Sequence, residues 1–143
     1  MKTRLLIALL LAAVLSGCGG APVATAGYEP HAAIKGLDLT GRWYSQDFGD
    51  LDLVQSGPKL TGKYEHPRGP EHNGTLTGEI EGDLLHLRWV QPGDMAAAIR
   101  TVTGRAVFRI RADGLNLKGV WGYNERETGG GEWNADKSQQ QPQ

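Results

Sequence analysis

An eight-residue phrase occurs three times in this chain: Gly, two variable residues, Leu, one variable residue, Gly or Leu, one variable residue, then Tyr or Trp. The copies are Gly57–Tyr64 (GPKLTGKY), Gly82–Trp89 (GDLLHLRW) and Gly114–Trp121 (GLNLKGVW). After the leading Gly, the fixed positions recur every second residue, the period of a strand with one buried face. The Gly is turn chemistry, because it enters the left-handed region without steric cost. Each copy is therefore a tight turn leading into a strand that buries Leu, then a small or apolar residue, then an aromatic ring.

Extending the same period along the chain predicts eight strands: Gly41–Gln46, Gly49–Gln55, Leu60–Glu65, Asn73–Glu81, Leu84–Val90, Thr103–Ile110, Leu115–Tyr123 and Gly131–Asn134. Short antiparallel strands at hairpin spacing point to an all-β, eight-stranded, antiparallel up-and-down β-barrel, with a two-sheet β-sandwich as the alternative. Closure into a barrel removes exposed edges. Gly62, Gly78 and Gly119 fall on the inner face, where small residues let a coiled barrel close and could equally leave room for a guest. The best helical stretch is Asp94–Arg100, one turn or two within a loop.

The ends of the chain are of a different kind. Lys2 and Arg4 precede an apolar run, Leu5–Leu15, too short for a stable membrane span. The run ends in Leu15-Ser16-Gly17-Cys18, and Cys18 is the only cysteine, so it has no internal disulfide partner. These four residues resemble the bacterial lipobox, which implies acylation of Cys18 and a mature chain beginning there. Gly19 after it implies sorting to the outer membrane in a Gram-negative source. The organisation expected is a lipoprotein signal peptide over 1–17, a flexible tether over 18–38, a barrel domain over 39–134 and a disordered tail over 135–143. Partners are then the membrane, reached through the lipid anchor, and a small apolar ligand or an envelope protein. Removing Lys2 and Arg4 takes the formal charge from −1 to −1 − 2 = −3. Such an acidic module lacks the clustered positive charge that nucleic acid requires.

Gly41-Arg42-Trp43-Tyr44-Ser45-Gln46 and Leu60-Thr61-Gly62-Lys63-Tyr64-Glu65 resemble the first and third strands of avidin- and streptavidin-like barrels, and more broadly those of lipocalin-like barrels. The resemblance runs from Gly41 to Trp121. It implies an eight-stranded barrel with Tyr64, Trp89 and Trp121 against a ligand and Trp43 as a floor aromatic. Ser45 stands where the avidin family has a biotin-binding Asn, so it joins the candidate ligand-binding residues. Asp50 aligns near a ligand-binding Ser, His66 replaces another Ser, and the Asp that meets the ureido nitrogen of biotin has no match.

In an up-and-down barrel the short turns 57–59, 81–83 and 111–114 close one end. The segments 47–48, 66–72, 91–102 and 124–130 gather at the other, beside Tyr64, Trp89 and Trp121. Those rings form either an aromatic ligand mouth or a plug of ordinary core side chains. His66 and His72, with Glu65 and Glu71, share one loop, but their spacing is not that of a metal site, and no metal or cofactor is expected. His31 lies in the tether and His86 on an outer face. Outward His86, Arg88, Arg105, Arg109, Arg111 and Lys118 form either a solvated face with cross-strand pairs such as Glu79 with Arg88, or a basic stripe for an envelope protein or glycan. No nucleophile elbow, phosphate cradle or strained carboxylate pair is present, so no enzyme activity is expected.

Overall fold

A computed structural model describes residues 27–139. The expected signal peptide (1–17), Cys18 and the far end of the tail (140–143) lie outside the described residues. Eight strands follow in order: β1 (Gly41–Ser45), β2 (Gly49–Ser56), β3 (Lys59–Glu65), β4 (Gly74–Glu81), β5 (Leu84–Gln91), β6 (Val102–Ile110), β7 (Asn116–Tyr123) and β8 (Gly131–Lys137). Each pairs antiparallel with its neighbours in sequence, and β8 returns to β1 through Trp43 opposite Lys137 and Tyr44 opposite Asp136. The sheet is a closed up-and-down barrel, and the sandwich alternative falls.

The repeated phrase does what its period requires. Gly57, Gly82 and Gly114 adopt φ of +60°, +61° and +69° at the three turns of one end. Leu60, Leu117 and the aromatic Tyr64 and Trp89 then face inward and are buried. The inward glycines serve the core and leave no room for a guest. Gly62, Gly78 and Gly119 stand directly opposite Leu53, Leu87 and Phe108 on the adjacent strands. A Cβ at any of the three would collide with that side chain and with the neighbouring backbone carbonyl. The large residue thus covers the glycine, and the lower barrel is packed solid by Trp43, Leu51, Leu53, Leu76, Leu85, Phe108, Ile110 and Leu117.

Two expectations at the edges of the domain need correction. In place of a flexible tether reaching residue 38, the described part of that segment is a floor laid across the closed end. Leu39 is fully buried, Ile34 and Leu37 pack on the core, and the Trp43 indole donates to the Leu39 carbonyl at 2.9 Å. The Leu39 N–H donates to Gln55 Oε1 at 2.8 Å, and the His31 N–H donates to Asp83 Oδ1 at 2.8 Å. His31 is thus part of an anchor on the β4–β5 turn. At the other end, β8 continues to Lys137, with Ala135 buried opposite Leu117, so the strand runs past the expected start of the polar tail. Asp94–Arg100 is no helix: Asp94 and Ile99 form a β-bridge, and Asp94 Oδ1 accepts the Ala96 N–H at 2.9 Å. A side chain that hydrogen-bonds its own backbone competes with a helix this short.

Candidate functional site

The open end is built by the connections 46–48, 66–73, 92–101 and 124–130, together with the strand ends that carry the aromatic residues of the repeat. Each of those rings lies over a glycine across the ladder. Tyr64 is opposite Gly74, Trp89 opposite Gly104 and Trp121 opposite Gly131. The space a Cβ would fill at Gly74 and Gly104 is taken by the Tyr64 and Trp89 rings, and at Gly130 by Trp121. Ring over glycine is a common cross-strand device, and here it fixes the position of each wall.

Between these elements opens a cleft of about 770 Å³, lined by Tyr64, Trp89, Trp121 and Tyr123, by His66, Arg68 and His72 of the β3–β4 loop, and by Phe48, Asp47 and Glu132. Its walls are edge-to-face rings. Trp89 and Trp121 have centroids 5.7 Å apart at 74°, and Trp121 and Tyr123 are 5.0 Å apart at 77°. Its floor is Phe48, stacked on the fully buried Trp133 with centroids 3.8 Å apart and planes 19° off parallel. The barrel is therefore packed solid below Phe48, and an aromatic-walled cleft opens above it.

Among the sequence-predicted site residues, Tyr64, Trp89 and Trp121 are brought together at this cleft, and Ser45 is not. Ser45 is buried beneath the β1–β2 turn, where its hydroxyl accepts the Phe48 N–H at 3.3 Å. It positions Phe48 and does not line the cleft. Burial pushes the Tyr64 hydroxyl up to about 12, so it stays protonated and able to donate. The indole N–H groups of Trp89 and Trp133 are buried with no hydrogen-bond partner, an uncommon state for a buried donor.

The β3–β4 loop holds its histidines by backbone contacts. The His66 N–H donates to Asn73 Oδ1 at 2.7 Å, and the Arg68 N–H donates to His66 Nδ1 at 3.1 Å. Because Nδ1 accepts, the ring's own proton sits on Nε2. Burial, with Arg68 and His72 adding like charge, lowers the pKa of His66 and so favours its neutral form. The rings of His66 and His72 lie 5.4 Å apart. Among the described residues, no group of three His, Cys, Asp or Glu side chains is placed to hold a metal ion.

On the outer wall, the basic residues find carboxylates different from those expected. Glu79 faces His86, and Arg88 faces Thr77, so the expected Glu79–Arg88 pair does not form. The β7–β8 loop instead folds back over the barrel. Glu125 accepts from Arg88 at 3.2 Å and from Arg105 Nε at 2.8 Å, and Glu127 meets His86 Nδ1 at 2.8 Å. Arg105, then Arg88, lowers the pKa of Glu125, while the Glu127 hydrogen bond raises that of His86. Arg109 donates to Asp83 at 2.8 Å and to the Glu29 carbonyl at 3.0 Å. Burial pushes the Asp83 carboxyl up, but hydrogen bonds from Arg109 and His31 outweigh it and hold the group at about 2. Much of the basic stripe is thus neutralised by the chain's own carboxylates.

No family model matches the chain, and no curated protein and no solved structure matches it. What the molecule shares with avidin- and lipocalin-like proteins is the eight-stranded antiparallel barrel. Sequence reasoning misses Tyr123 and Phe48. Tyr123 has a signal, since it follows Trp121 along the same strand. Phe48 has none, because a residue in a short turn carries no period to say which way it faces.

Proposed function

We propose that the chain is a lipid-anchored cell-envelope protein whose barrel binds a small apolar or amphipathic ligand at its open end. One observation carries this reading: an aromatic cleft of about 770 Å³ whose walls are Trp89, Trp121 and Tyr123, with polar groups around its rim. That size and that division of surface are typical of small-molecule sites. The reading assigns the molecule binding and no catalysis. The alternative, an envelope-protein or glycan module using the basic stripe, is the poorer fit, because Arg88, Arg105 and Arg109 already hold Glu125 and Asp83.

Titration with N-phenylnaphthylamine, followed by tryptophan quenching, tests the site. Saturable binding is expected, and Trp121→Ala should weaken it by about tenfold or more, the loss of a large ring contact. A folded domain that ignores this and every other small apolar probe would remove the reading. The anchor is tested separately: Cys18→Ser should move the protein from the membrane fraction to the soluble one. If the variant stays with the membrane, the lipobox assignment is wrong.

A further inference from the structure

The arginines of this barrel divide by what they hold. Arg42, Arg88, Arg105, Arg109 and Arg111 each meet a carboxylate of the chain itself. Arg68 is exposed, borders the cleft, and meets no carboxylate among the described residues. Arg100 and Arg126 are likewise without one, but neither lines the cleft. Arg68 is thus the cleft's own uncommitted cation.

Beside it stands an uncommitted donor. His66 Nδ1 accepts the Arg68 N–H at 3.1 Å, which leaves the Nε2–H to donate, and that group has no partner among the described residues. The His66 ring borders the cleft, with its centroid 5.9 Å from that of Phe48 and 6.5 Å from that of Tyr64. Its neighbour His72 is engaged, with Nε2 3.8 Å from Glu71 Oε1 and Nδ1 3.5 Å from the Gln91 amide nitrogen. The loop that carries Arg68 and His66 is braced by its own bonds. The His66 N–H donates to Asn73 Oδ1 at 2.7 Å, the Gly69 N–H to the His66 carbonyl at 3.1 Å, and the Asn73 N–H to the Pro70 carbonyl at 3.1 Å. Little of this backbone needs ordering when something binds. The carboxylates on the rim, Asp47 and Glu132, belong to other elements, the β1–β2 connection and β8. They repel an anion from their own positions and so favour the β3–β4 loop as its seat.

We propose that the cleft takes an amphipathic anion, with a carboxylate, sulfonate or phosphate head on the Arg68 guanidinium and the His66 Nε2–H, and an apolar body against Trp89, Trp121 and Tyr123. The inference rests on the ligand site proposed above and names the chemical class that fills it. A guanidinium suits such heads because its planar fork donates two parallel hydrogen bonds to paired oxygens.

Two matched pairs of probes, each differing only in the head, test this on the full chain. Anilinonaphthalene sulfonate is set against N-phenylnaphthylamine, and decanoate against decanol, the second pair being read by displacement of N-phenylnaphthylamine. The first pair carries an aromatic body and the second an aliphatic one, so the arms separate an aromatic acid from a fatty acid as the source of the head. In at least one pair the anion should bind about fivefold or more tighter than its neutral partner, and added salt should shrink that ratio. Arg68→Gln should bring the ratio to within about twofold. Lys118→Gln, the same change of charge on the outer face of β7, should leave it as in the unmodified protein. A ratio that survives Arg68→Gln, or that falls equally in both variants, overturns the proposal, since the head then rests elsewhere or feels only net charge. If the neutral probes bind and neither anion binds tighter, the proposal falls and the apolar ligand site stands. If no member of either pair binds, the ligand site falls and the anion seat with it.

Discussion

The two ends of this barrel are made from the same strands and solve opposite problems. At the closed end, polar groups meet partners: the Trp43 indole finds the Leu39 carbonyl, Gln55 holds the Leu39 N–H, and Asp83 gathers Arg109 and His31. Its apolar surface is covered by Leu39, with Ile34 and Leu37 packed alongside. At the open end, the Trp89 indole N–H is buried without a partner and the aromatic walls face a cleft. Satisfied packing gives stability, and incomplete packing gives a place for something else to bind. The difference teaches that the same strands can satisfy their buried polar groups at one end and leave an indole donor unpaired beside a cleft at the other.

The comparison can be broken most forcefully at the two tryptophans. Trp43→Ala should cost about 3–5 kcal/mol, because a fully buried indole leaves a cavity that a closed barrel cannot collapse. Trp121→Ala should cost less than about 2 kcal/mol while removing much of the probe binding. Denaturant titration of both variants checks this, and equal losses of stability would erase the distinction between the ends.

Gly78→Ala comes next. Its new methyl group would meet Leu87 and the His86 carbonyl, for an expected loss of about 1–3 kcal/mol. A neutral result in the same titration would mean that the lower barrel is less tightly filled than its contacts imply.

The Asp83 anchor should make the closed end acid-sensitive. Its folded pKa of about 2 lies below the ordinary 3.8, so its stabilisation is present above pH 4 and fades as pH falls toward 2. The amount is about 2 kcal/mol at full strength, from 1.36 kcal/mol per unit of pKa. Unfolding free energy measured from pH 5 to pH 2 should show this slope, and Asp83→Asn should flatten it.

The smallest effect belongs to the β7–β8 loop. His86 is raised by Glu127, so its contribution is complete below the ordinary histidine pKa and is lost as pH rises through the elevated folded value. Amide hydrogen exchange over residues 124–130, corrected for intrinsic rates, should therefore quicken at higher pH. Glu127→Gln should remove that dependence while leaving the closed end unchanged.

Much of this architecture is legible in the sequence because the side-chain period of a strand is two, and the three repeats keep it without interruption. The same period, with the alternation of short turns and longer loops, places Tyr64, Trp89 and Trp121 together at one end. What escapes is aperiodic. The floor segment ending at Leu39 resembles a tether because its few apolar residues follow no regular spacing. Phe48 sits in a turn that carries no facing signal, and Ser45 enters the site only through a family likeness, whereas its hydroxyl serves the turn below. The Arg88 partner lies on a different element from the one expected, since cross-strand reasoning does not see a loop folding back over the sheet.

The sequence by itself determined the strands, their turns and the end at which the rings collect, because alternation and glycine chemistry are local properties of the backbone. Only the tertiary structure decided how deep the open end runs. Whether a glycine leaves a hole or shelters the ring opposite depends on ladder register, and whether Phe48 covers Trp133 depends on a turn whose direction is set by packing from both sides. Those are contacts between residues far apart in the chain, and no local pattern encodes them.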